Sequence, residues 1–129
     1  MIETERVTHI FQDAWTLYGD AMEELERGRL RNAAEKAWGA TKRATDALIL
    51  ARTGDEPRTA GRTLTGLRIL SRQDERVRTL LERHYLAAAS FLHGACFYDG
   101  MCEPEDVVES DIRETADYIR DAQELARAQ

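Results

Sequence analysis

The chain has 129 residues, 43% of them hydrophobic, enough for one domain (1–129) with its own core and too apolar for a disordered chain. Its net charge of −6 argues against avid non-specific binding to nucleic acid, and its two cysteines give no disulfide framework. The first fifteen residues include Glu3, Glu5, Arg6 and Asp13 and hold no apolar leader core, so a cytoplasmic protein is expected.

Charge is unevenly placed. Residues 52–83 carry eight arginines against five acids, and residues 84–129 carry three arginines against ten acids. An anionic ligand near the middle segment is one reading, and ion pairs that merely solvate helix faces are the other. Leu, Ala, Glu and Arg dominate while Val and Ile are few, which favours helix over strand.

Val7, Ile10, Phe11, Ala14, Trp15, Tyr18, Ala21, Met22 and Leu25 recur at three-four spacing, predicting a first helix over 5–27 that Gly28 stops. A second helix follows at once, with Leu30, Ala33, Ala34, Ala37, Ala40 or Thr41, Ala44, Ala47, Leu48 and Ala51 on one face. So short a connection makes the two antiparallel neighbours. Residues 53–58 are a loop. A short third helix is expected from about Thr59 to Leu70, weakened by Gly61 and Gly66. Asp74 suits the N-cap of a fourth helix running to about Tyr98. After a turn, Pro104 suits the first position of a fifth helix, whose inner stripe is Val108, Ile112, Thr115, Ile119, Ala122 and Ala126. The expected fold is an all-α, up-and-down bundle of four long helices and one short helix. A tetratricopeptide array is rejected, because no alanine pattern returns one repeat later.

Tyr85 to Tyr98 contains no charged residue. Too short to span a bilayer, it reads as the central helix of the bundle, apolar nearly all round. Val77, Leu81, His84, Ala88, Phe91 and Ala95 form one face; Leu86, Ala89, His93 and Phe97 form another. The second face calls for the fifth helix, the third, or a second copy of the chain. His93 is either a general acid-base or a core histidine paired with a neighbour. Gly94 beside it would let a backbone or ligand come close. Arg78 and His84 could clamp a phosphate and take a proton from a ribose hydroxyl, although six positions place them about 120° apart on one helix. His93, Cys96 and Cys102 lack the paired spacing of a zinc site, so no metal and no cofactor is expected, and Cys96 reads as core packing. Trp15 and Trp38 also read as core.

Three segments carry a family resemblance. They are Gly28-Arg-Leu-Arg-Asn-Ala-Ala-Glu-Lys-Ala-Trp-Gly-Ala, Phe91-Leu-His-Gly-Ala-Cys-Phe-Tyr-Asp-Gly, and Val107-Val-Glu-Ser-Asp-Ile-Arg-Glu-Thr. Together they resemble the archaeal and bacterial PaREP-type proteins of the HEPN superfamily, helical bundles that are often dimeric. Many HEPN proteins are metal-independent ribonucleases with an arginine, a polar residue and a histidine four to six positions on; others act as the binding subunit of a nucleotidyltransferase. The resemblance implies a homodimeric binding module for a nucleotide, RNA or a nucleotidyltransferase partner, with no membrane role. His93, Tyr98, Arg72 and Arg76 are its candidate ligand-binding residues. The alternatives are a ribonuclease using Arg78 with His84 or His93, and a purely structural interaction protein.

Overall fold

A computed structural model describes residues 4–128. Helices α1 (Thr4–Glu26) and α2 (Leu30–Thr53) form an antiparallel hairpin. Gly28 makes the turn at φ 72°, a left-handed conformation that glycine adopts without steric cost. α3 (Ala60–Gln73) is capped by the Thr59 hydroxyl, which accepts from Arg62 N, and outruns the expected end by three residues. Asp74 then caps α4 (Glu75–Leu80), accepting from Arg76 N. α4 continues as two runs of wide, π-type turns, Leu81–Tyr85 and Ala88–Tyr98, and the whole rod is called helix 4 below. α5 (Glu105–Arg127) closes the bundle. Pro104 is its N-cap rather than its first helical residue, and the Glu103–Pro104 peptide is cis. The described residues contain no strand.

The central helix is α2, not the uncharged half of helix 4. α2 packs on α1, α3, helix 4 and α5. It buries thirteen residues, six of them alanines that allow close approach. From Ala88 to Tyr98 helix 4 buries only Ala88, Leu92 and Cys96. Its inner line is Val77, Leu81, Tyr85, Ala88, Leu92 and Cys96, so Phe91 and Ala95 belong to its flank. No described element covers its outer side, where Leu86 is 45% and Tyr98 66% exposed. On α5 the expected stripe is buried except at Ala126, and Tyr118 and Leu125 join it.

Arginines at both ends of α2 close its neighbours. Arg31 donates from Nε to the Phe97 carbonyl and from Nη2 to the Tyr98 carbonyl, at the end of helix 4. Arg52 donates to the Leu125 carbonyl near the end of α5 and to Asp74. Such carbonyls lack intrahelical partners and carry the negative end of the helix dipole. Beyond helix 4, Cys96 and Cys102 form a disulfide, so the core thiol expected at Cys96 is instead half of a cross-link. Spacing alone could not show this, because the turn at Asp99 and Gly100 folds Cys102 back on Cys96.

Candidate functional site

The two histidines of helix 4 both lie in π-type turns, His84 in the first run and His93 in the second. Wide turns of this kind occur frequently at functional sites. The two imidazoles face different surroundings.

His93 points along the start of α2. Its Nδ1 lies 2.7 Å from Glu35 Oε1, and the two side chains are 32% and 33% exposed. A carboxylate can only accept, so Nδ1 donates to Glu35. Nε2 has no partner among the described residues and is not sealed from solvent. Three rings collar the imidazole: Trp38 at 5.5 Å, Phe97 stacked at 6.5 Å and Tyr98 edge-on at 5.1 Å. Trp38 is itself buried against Tyr85. The arrangement can orient an imidazole, leave its Nε2 open to a ligand, and present an aromatic surface beside it. Gly94 does not make this room, since a Cβ there would meet only the Ala89 carbonyl at an ordinary 3.7 Å.

His84 points between α2 and α5. Its Nε2 lies 3.1 Å from Thr41 Oγ1 and 3.4 Å from Thr115 Oγ1, and its ring lies 5.0 Å from that of Tyr118. Burial pushes its pKa down to about 4, because desolvation penalises the imidazolium. A neutral imidazole so weakly basic is a poor general base near pH 7.

The remaining candidates do not converge on either imidazole. Arg78 is exposed and pairs with Glu82 at 4.0 Å, whereas His84 is turned into the bundle. Arg76 is held by Asp74 at 3.0 Å, which keeps that carboxyl well below the usual carboxylate range. Arg72 is exposed in the last turn of α3. Arg76 and His93 stand about five turns apart on helix 4, roughly 25 Å at the α-helical rise. His93 and Tyr98 therefore share a surface, and Arg72 and Arg76 lie at the other end of the molecule. Among the described residues no three His, Cys, Asp or Glu are grouped to hold a metal ion. No helix among them is long and apolar enough to cross a membrane.

Sequence reasoning missed Glu35, Arg31 and the threonine pair on His84. Thr41 and Thr115 do carry a signal, since both are polar residues on the inner faces of their helices. Glu35 gives none, because its partner is 58 positions away.

A bundle with an oriented, outward-facing imidazole on its rim is thus the class of structure in hand. The chain belongs to the archaeal PaREP1/PaREP8 family, whose sequence model matches residues 9–118. No curated protein and no solved structure matches it.

Proposed function

We propose that the protein is a homodimeric, non-catalytic binding module of the HEPN type, and that it takes a nucleotide at the His93 surface. The observation that carries this reading is the Glu35–His93 pair set in the collar of Trp38, Phe97 and Tyr98. Aromatic faces stack nucleobases without much regard to identity. The unpartnered Nε2 can hydrogen-bond a ribose hydroxyl, which both donates and accepts. Arg31 stands at the same end of helix 4 and supplies a positive charge for phosphate. A nucleotidyltransferase partner would dock on the dimer beside the His93 surface and present the nucleotide to it.

The ribonuclease reading gains no support from the geometry. Arg78 pairs with Glu82, and His84 is neutral and directed inward. Thermal denaturation with a panel of nucleotides tests the binding reading. A ligand at ~100 times its Kd adds about 2.7 kcal/mol to apparent stability, seen as a rise of several degrees. His93→Gln should abolish the rise, with circular dichroism establishing that the variant is folded. No rise with any nucleotide at millimolar concentration would leave only protein docking.

A further inference from the structure

The disulfide joins Cys96 to Cys102, six positions on. The loop it closes contains Phe97 and Tyr98, two of the three rings that collar His93. The two cysteines differ in access: Cys96 is fully buried in the last turns of helix 4, whereas Cys102 is only partly covered. The turn between them keeps backbone hydrogen bonds from Gly100 N to the Cys96 carbonyl and from Met101 N to the Ala95 carbonyl. Past Met101 such bonds stop. Among the described residues neither Cys102 nor Glu103 donates a backbone hydrogen bond, so the covalent bridge is what fixes Cys102 against the core.

Tyr98 is the collar residue that depends most on this anchor. Its ring touches only the His93 and Phe97 rings, and two-thirds of its surface is bare. It is the last residue of helix 4, where helices fray. A bridge from that last turn to the segment beyond it restricts the fraying, because the ends of the loop can no longer separate. Access also decides how the bridge opens. An attacking thiolate approaches opposite the sulfur that departs, so attack from solvent falls on Cys102 and Cys96 is the leaving group.

We propose that Cys96 and Cys102 form a reversible redox switch for the His93 surface: the disulfide holds the end of helix 4 and its aromatic collar in place, and reduction by a dithiol releases them. One thiolate of the dithiol attacks Cys102 Sγ. The Cys96–Cys102 bond breaks, a mixed disulfide forms, and Cys96 leaves as a thiolate that takes a proton from water. The second thiolate of the dithiol then attacks its own sulfur in the mixed disulfide, and Cys102 leaves and is protonated likewise. The bridge gains two electrons and two protons, and the dithiol becomes a cyclic disulfide. The switch concerns the shape of the His93 surface and stands whether or not a nucleotide binds there.

The test equilibrates the full oxidised chain, with no nucleotide added, against graded ratios of reduced to oxidised dithiothreitol below its melting temperature. Alkylation and intact mass count the thiols at each ratio. Two thiols should appear together and disappear again when oxidised dithiothreitol is in excess. Along the same titration the ¹H–¹⁵N signals of the His93 ring should move to a second position with the same midpoint, while those of His84, between α2 and α5, stay in place. The Met101 amide should exchange with solvent about tenfold faster in the reduced chain, the mark of a local opening. Cys102→Ser should hold the His93 signals at the reduced position with or without reductant, circular dichroism establishing that the variant is folded. Thiols that appear while the His93 signals stay in place overturn the proposal and leave the bridge a brace alone. So does a bridge that yields no thiols until the chain melts.

Discussion

Asp46 has no exposed surface, yet it lies in the middle of α2 with a carboxylate. Lys42 at 2.9 Å and Arg43 at 3.4 Å supply countercharge, and the Thr63 hydroxyl donates to it at 2.6 Å. Arg43 reaches on to Asp13 at 2.9 Å, so the network joins α1, α2 and α3. Removing one partner of such a group strands the others. Asp46→Ala should cost about 3–5 kcal/mol in urea unfolding, and Asp46→Asn less, because an amide oxygen still accepts from Thr63. His84 makes a pH prediction at the same scale. Its folded pKa of about 4 lies below the ~6.5 of an unfolded histidine. Between those values the unfolded chain binds more protons, so the contribution of His84 is fully present above about pH 6.5 and is lost as pH falls to about 4. The loss is at most about 3 kcal/mol. Glu56 and Asp74, held below the ordinary range chiefly by hydrogen bonds from Arg6 and Arg76, lose their contributions at lower pH. The raised carboxyls of Asp111 and Asp121 act in the opposite sense. Stability measured between pH 4 and 7 should therefore fall less steeply in His84→Gln than in the parent. An unchanged slope would mean that His84 is not neutral in the fold.

At the scale of elements, the end of helix 4 depends on α2. Arg31 serves two terminal carbonyls, so Arg31→Ala should lower stability by about 1–3 kcal/mol, read as a fall in melting temperature. α3 docks through Gly66, where an added Cβ would come within 2.9 Å of Ile49 Cδ1. Ile49 Cγ2 also lies at 3.3 Å, on a buried β-branched side chain that is stiff at χ1. Gly66→Ala should thus be destabilising by up to about 1 kcal/mol despite its gain in helix propensity, and Gly66→Leu by about 1–3 kcal/mol. The glycine that weakened the expectation of a third helix is the residue that lets it pack closely. The other helices were legible because three-four apolar spacing and the caps at Gly28 and Asp74 are local signals. Which helix is central was not. α2 hides its burial behind Lys42, Arg43 and Asp46, which neutralise one another, and behind alanines of low individual hydrophobicity. Helix 4 advertises burial by lacking charge, but that pattern reads the same whether a neighbour in the chain or a second molecule covers it. His93 was visible as the polar member of an apolar run. Glu35 was not, because only the tertiary fold brings the two together.

At the scale of the molecule, the outer side of helix 4 is the unfinished part of the fold. Leu86, Tyr98 and Met101 are 45%, 66% and 60% exposed along one uncharged rod and its turn. A second copy, related by a two-fold axis, would cover this strip with its own equivalent and bring two His93 collars to one interface. The nucleotide reading and the dimer reading therefore concern the same face. The mass of the particle in solution, by sedimentation velocity with the parent chain and Leu86→Glu, tests this most directly. The parent should sediment at twice the chain mass of 14.7 kDa, and Leu86→Glu should run as a folded monomer. A parent that stays at 14.7 kDa at high micromolar concentration would contradict the account.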